Sequence, residues 1–155
     1  MPDLIELLLH QLRAAGFFCV RSFDNNRFPF LTEPLVAVGL TSEESTCDTV
    51  SRYLGQDMSG EECYGAALHA TLRLDVYTSL KQNGICCQQT ADRLHRLLLG
   101  GLEGVECGTV SVSEVRFDPK TDCFRCALTA QLTAPMRIRP AQHTFQRFTI
   151  KGDTI

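Results

Sequence analysis

The stretch 66–77 constrains this chain more than any other. Leu68, Ala70, Leu72, Leu74 and Val76 alternate there with His69, Thr71, Arg73, Asp75 and Tyr77. A period of two held over that length belongs to a strand with one face on a core, because successive side chains of a strand point to opposite sides. The apolar face needs a cover, and two segments offer one. Over residues 85–99, Cys87, Ala91, Leu94 and Leu98 recur at helical spacing, while Gln88, Gln89, Asp92, Arg93 and Arg96 take the outer side. Asn83 offers an N-cap for that helix and Gly100-Gly101 a stop. Near the N-terminus, Leu4, Ile5, Leu8, Leu9 and Leu12 form a second stripe, opened by Asp3 with Glu6 three residues on and closed by Gly16.

The remaining segments read as strands. Residues 17–23 are β-prone, 35–40 form a short strand behind Pro34, and 105–117 and 123–134 flank Asp118-Pro119-Lys120-Thr121-Asp122, a strong turn signal. In the first of that pair, Val110 and Val112 share one parity and Val115 and Phe117 the other, which predicts a bulge near Ser113-Glu114. Asn25-Asn26 and Pro29 mark a break, and 145–151 reads as a last edge strand. The order α-β-β-β-α-β-β, with strands joined by turns, predicts an α+β fold: a mostly antiparallel sheet with two helices packed on one face. At 155 residues the chain reads as a single domain, 1–155.

Charge is unevenly placed. Residues 41–65 hold Glu43, Glu44, Asp48, Asp57, Glu61 and Glu62 against Arg52 alone, and they read either as a solvated loop or as the extended arm of a hairpin. Residues 135–155 form a basic C-terminal segment through Arg137, Arg139, Arg147 and Lys151. A net charge of −3 gives no general reason to expect nucleic acid. No apolar run reaches the length of a membrane span, and no basic n-region or cleavage site marks a signal peptide.

The eight cysteines invite a metal or disulfide reading that their positions oppose. Cys123 and Cys126 form the one Cys-x-x-Cys, and inside a strand these two point to opposite faces. No second such pair and no His-x₃-His completes a zinc pattern. The thiols read as small buried residues in a reducing cytosol, with no metal and no cofactor expected. There is no Walker motif, no Gly-x-Gly-x-x-Gly, no Gly-x-Ser-x-Gly and no His-Glu-x-x-His. His69 and Asp75 share a strand face but lie about 20 Å apart. The chain reads as a non-enzyme.

What does point outward is protein contact. Arginine outnumbers lysine twelve to three, and arginine is the cation favoured at interfaces. The sheet face away from the helices would show Thr71, Arg73, Cys123, Arg125, Ala127, Thr129, Gln131 and Thr133, too polar for a core and sparsely charged, which suits contact with another subunit as well as it suits an ordinary β surface. Complementary patches are expected to meet between copies, Glu43, Glu44, Glu61 and Glu62 of one against Arg137, Arg139 and Arg147 of the next.

The order of elements, with Leu31-Thr32-Glu33-Pro34-Leu35-Val36-Ala37-Val38-Gly39, Tyr53-Leu54-Gly55, Tyr64-Gly65, Leu72-Arg73-Leu74-Asp75-Val76-Tyr77 and Phe124-Arg125-Cys126, resembles prophage tail-terminator (tail-completion) proteins of long-tailed phages. The likeness spans nearly the whole chain through structural motifs. It implies a structural α+β subunit with no catalytic residues, assembling with itself into a ring, usually a hexamer. The ring would cap the tail tube, join it to the head connector, and reside in the virion tail after assembly in the bacterial host cytoplasm. It would bind no nucleic acid directly and no membrane. Two other readings stay open on the residues alone: a small-ligand-binding or regulatory α+β module of the bacterial cytosol, and a thiol-dependent enzyme.

Overall fold

The first helix, α1 (Leu4–Ala14), starts where Asp3 caps it, the carboxylate accepting from the Ile5 N–H at 3.1 Å. Gly16 ends it at φ 91°, a left-handed conformation that glycine takes without Cβ strain. Its stripe buries Leu8, Leu9 and Leu12. The chain then enters β1 (Phe18–Arg21), and Arg21 reaches back to Asp3 at 2.9 Å. The computed structural model describes residues 3–22, 30–46, 53–56, 58–60 and 62–138; the break at Asn25-Asn26 and Pro29 and the strand expected at 145–151 lie outside them.

Three long strands follow: β2 (Leu35–Thr46), β4 (Glu62–Ser79) and β7 (Cys123–Ile138), with a short β3 (Tyr53–Gln56) pairing β4 near its start. Between β4 and β7 come α2 (Asn83–Gly100), β5 (Glu106–Val112) and β6 (Arg116–Asp118). The sheet order is β1-β2-β4-β7-β5, with β6 also on β7. All pairings are antiparallel except β1 with β2, which is parallel. The 22–34 connection is long enough for the return that a parallel pair requires, about a dozen residues or more.

The even-numbered residues of β4 face the helices. Leu72, Leu74 and Val76 lie beside Val36 and Val38 of β2 and Cys126, Leu128 and Ala130 of β7. Onto this face α2 lowers Cys87, Ala91, Leu94 and Leu98, while α1 covers β1 and β2. Both helices therefore sit on one side, as the α+β reading requires. Gln11 links α1 to the loop after α2, donating to the Glu103 carbonyl at 2.9 Å and accepting from its N–H at 2.8 Å. Asn83 caps α2 through its side chain, which accepts from the Cys86 N–H at 3.1 Å, although its own backbone is left-handed at φ 66°. Gly84 lets the helix start close to the sheet: a Cβ there would come within 3.3 Å of the Phe124 ring.

The expected bulge near Ser113-Glu114 is a full break between β5 and β6, and a second irregularity lies between Cys107 and Val110. The turn at 118–122 is held by Asp118, which accepts from the Lys120 N–H and the Thr121 hydroxyl. β7 runs on through Pro135, beyond the last β5 pairing at Thr133, where its outer edge carries no described strand and proline is tolerated.

Candidate functional site: the open face of the sheet

Residues 41–46 continue β2, and 42–46 pair with 67–71 of β4, so this part of the 41–65 segment is an extended strand. A bulge between Leu40 and Ser42 shifts the parity. Ala37 and Gly39 share the open face with Ser42 and Glu44, while Glu43 lies opposite Ala70 on the helix side. The side chains of Glu43 and Glu44 are exposed. On the helix side the arm's positions shrink to Ala66, Ala70 and Ala134.

The odd-numbered residues of β4 build the open face. At its base a small apolar cluster of Leu31, Leu35 and Cys123, with Val20 and Tyr77 against it, covers the sheet. Next comes Asp75, nearly buried at 8% exposure. Its Oδ1 accepts from Arg125 Nη2 at 2.8 Å and Nε at 3.2 Å, and its Oδ2 accepts from Arg73 Nε at 3.1 Å. The Arg125 guanidinium lies 5.6 Å from the Tyr77 ring centre. Hydrogen bonding to Asp75 holds Arg125 above its ordinary pKa, against the opposing effect of its own desolvation. Towards the arm, the Ser42 hydroxyl donates to Thr71 Oγ1 at 2.8 Å, Thr71 donates to Gln131 Oε1 at 3.2 Å, and His69 Nδ1 meets Thr133 Oγ1 at 3.2 Å. Among the described residues no buried side-chain nitrogen or oxygen lacks a partner. The face is thus half-buried, with its buried polar side chains hydrogen-bonded to one another.

Asp75 is the keystone of this layer. Asp75→Ala is expected to cost about 1.5–3 kcal/mol, since it removes charge-assisted hydrogen bonds from two arginines at once. Arg73→Ala should cost clearly less, because Arg125 keeps the carboxylate satisfied; urea unfolding of the two variants measures the difference.

The residues expected at an interface are only partly brought together. Glu43 and Glu44 stand on the arm, Glu62 opens β4, and Arg137 lies on β7; Glu61, Arg139 and Arg147 fall outside the described residues. The backbone register pairs Arg137 with Gly65 of the same chain, so the start of the basic segment runs beside the arm's own return strand. Of the two segments expected to meet between copies, the described backbone places only Arg137 on a strand beside residue 65 of its own chain. The Arg73–Asp75–Arg125 cluster, by contrast, was missed. Its signal was Arg73-x-Asp75, since two residues apart on a strand means the same face.

Cys123 and Cys126 separate as expected, one into the small open-face cluster and one into the main core. The described thiols are free. Burial pushes Cys19 and Cys87 up to about 11, and it also raises Cys107, Cys123 and Cys126. Among the described residues no three His, Cys, Asp or Glu side chains converge as a metal site would require, and no helix is long and apolar enough to cross a membrane. In comparison with known proteins, the chain matches no family model and no curated sequence.

Proposed function

We propose that the chain is a structural subunit that works as an assembly of its own copies, and that this assembly is the ring that ends a phage tail tube and joins it to the head. The observation that carries the reading is the sheet running past its helices. β2, β4 and β7 extend into an arm on which residues 41–45, His69 and Gln131 are exposed, and the sheet face opposite the helices is half-buried, polar and, among the described residues, uncovered beyond its base. An isolated domain gains little from ordering such an arm, because its exposed positions bury almost no apolar area to offset the lost chain entropy. A subunit that packs against others recovers that cost in the assembly. The resemblance in element order supplies the tail-terminator identity within this class.

The competing readings draw less support. A ligand module wants a concave, largely apolar pocket with convergent polar groups, whereas the polar groups on this face are spent on one another. A thiol enzyme wants a cysteine with a lowered pKa, and every shift seen among the described thiols is upward. Sedimentation velocity and negative-stain electron microscopy of the purified chain provide the test. Closed rings with a central opening are expected, sixfold as the resemblance implies. A monomer at all concentrations up to the solubility limit would remove the reading.

A further inference from the structure

The large apolar side chains that this fold leaves in water are not spread evenly. Phe18, Phe30, Leu80, Ile85 and Phe117, each between 41% and 89% exposed, all lie at the base of the sheet. Phe18 opens β1 opposite Leu35, and Phe117 pairs with Phe124 near the start of β7. Leu80 stands in the turn that ends β4, and Ile85 is in the first turn of α2. Three connections meet there around a hollow of about 540 Å³, with Phe30, Leu31, Leu80 and Cys123 as its apolar wall and Lys81 and Asp122 among its polar residues. Leu31 and Cys123 are buried, whereas Phe30 and Leu80 are not, so the wall is covered on one side only. An isolated subunit gains nothing by presenting these side chains to water.

The other end of the same strands is apolar as well. Met58 stands wholly exposed in the turn between β3 and β4, and Tyr53, where β3 begins beside Tyr64, is 54% exposed. Within one copy this tip cannot reach the base, because the β4–β7 ladder holds the two ends about 50 Å apart. Methionine is unbranched and flexible, so it fills an irregular apolar hollow without demanding one shape. Area supports the match. At about 150–250 Å² for a whole aromatic side chain and somewhat less for an aliphatic one, base and tip together expose on the order of 700–800 Å² of large apolar side chain. A specific interface of about 1,200–2,000 Å² that is just over half apolar requires roughly 700–1,100 Å².

We infer that the tip of one copy, through Met58, seats in the hollow at the base of the next, against Phe30, Leu31 and Leu80. The inference rests on the assembly reading above and names its contact. Two different patches of one chain meet in this way, so the interface is heterologous and repeats from copy to copy until it closes as a ring. The contact is end to end, and it leaves the open face with its Arg73–Asp75–Arg125 layer outside it.

A photo-reactive benzophenone amino acid placed at position 58 of the full chain tests the contact, since that site is wholly exposed and the change keeps it apolar. The modified chain is mixed with isotope-labelled unmodified chain, irradiated and digested with trypsin. Cross-links of hybrid mass joining position 58 to the peptides 74–81 or 121–125 are expected. In parallel, Met58→Asp and Leu80→Asp should each raise the concentration at half-assembly by about tenfold or more. Leu99→Asp, at a comparably exposed leucine on the other end of α2, should leave it unchanged. Assemblies whose cross-links map elsewhere, or that ignore Met58→Asp, overturn this contact and leave the structural-subunit reading standing. A species that stops at a dimer overturns the head-to-tail arrangement. Open fibres that carry the expected cross-link keep the contact and overturn the closed ring. A chain that stays monomeric throughout overturns both.

Discussion

Leu94→Ala is expected to lower stability by about 2–5 kcal/mol, the range for emptying a fully buried leucine site. Leu94 has no accessible surface and stands where α2 meets β4, β7 and β5. Its core cluster draws Leu74 from β4 and Leu128 from β7 as well as Leu98 from α2, so the cavity cannot close by moving one element alone. For a domain of this size the thermal midpoint should fall by roughly 5–20 °C. Leu99→Ala, five residues on and 61% exposed, should change stability by no more than about 0.5 kcal/mol. Scanning calorimetry of the pair isolates the core face of the helix from its propensity, because both substitutions put alanine into the same helix. If the two variants melted together, α2 would not be lying on the sheet through this stripe.

The second large effect is with pH. Cys19 and Cys87 ionise at about 11 in the folded chain, because burial disfavours the thiolate, against about 9 when solvated. Between those values the unfolded chain releases protons that the folded chain retains. Stability therefore falls as pH rises. The contribution is fully present below pH 9 and is lost as pH climbs through 11. Each of these thiols should remove roughly 1–2 kcal/mol over that window, and Cys107, Cys123 and Cys126, also raised, add in the same direction. Urea midpoints measured from pH 8 to 11 should show a steep alkaline decline. Cys19→Ser with Cys87→Ala should flatten it even though the double variant is less stable at pH 8. A profile of equal slope in both proteins would mean that other groups cause the decline.

The parts of the fold that were legible in the sequence are those whose apolar period is unbroken. The alternation through Leu72, Leu74 and Val76 and the stripe through Leu94 and Leu98 are each set by one face meeting one core, and both appear where expected. Past Leu40 the residues left a solvated loop and an extended arm both open. Thr41, Ser42, Glu43, Glu44, Ser45 and Thr46 carry no apolar alternation, because neither face of that segment is in the core, and the bulge at Thr41 inverts what parity there is. These residues are extended because β4 offers its edge, a tertiary cause that local pattern does not record. The parallel direction of β1 has a similar origin, since it is set by the pairing with β2. At the candidate site, Glu43 and Glu44 could be picked out as an acidic patch from composition alone. Asp75 could not be paired from sequence, because Arg125 stands fifty positions away and only the β4–β7 register brings it opposite.

That register has a mechanical side. β4 and β7 pair without a bulge from Tyr64 with Ile138 to Ser79 with Cys123, while the β2–β4, β3–β4 and β5–β7 ladders are each interrupted. The uninterrupted run spans about 50 Å and connects the arm to the base beneath the α2 helix. A tension applied along the arm loads these hydrogen bonds in shear, all together, because they lie perpendicular to the strands. The ladders to either side can yield at their bulges while this one holds. Force entering at the tip of the molecule is therefore delivered to the base through a single stiff spine, with the helices riding on it and bearing little of the load.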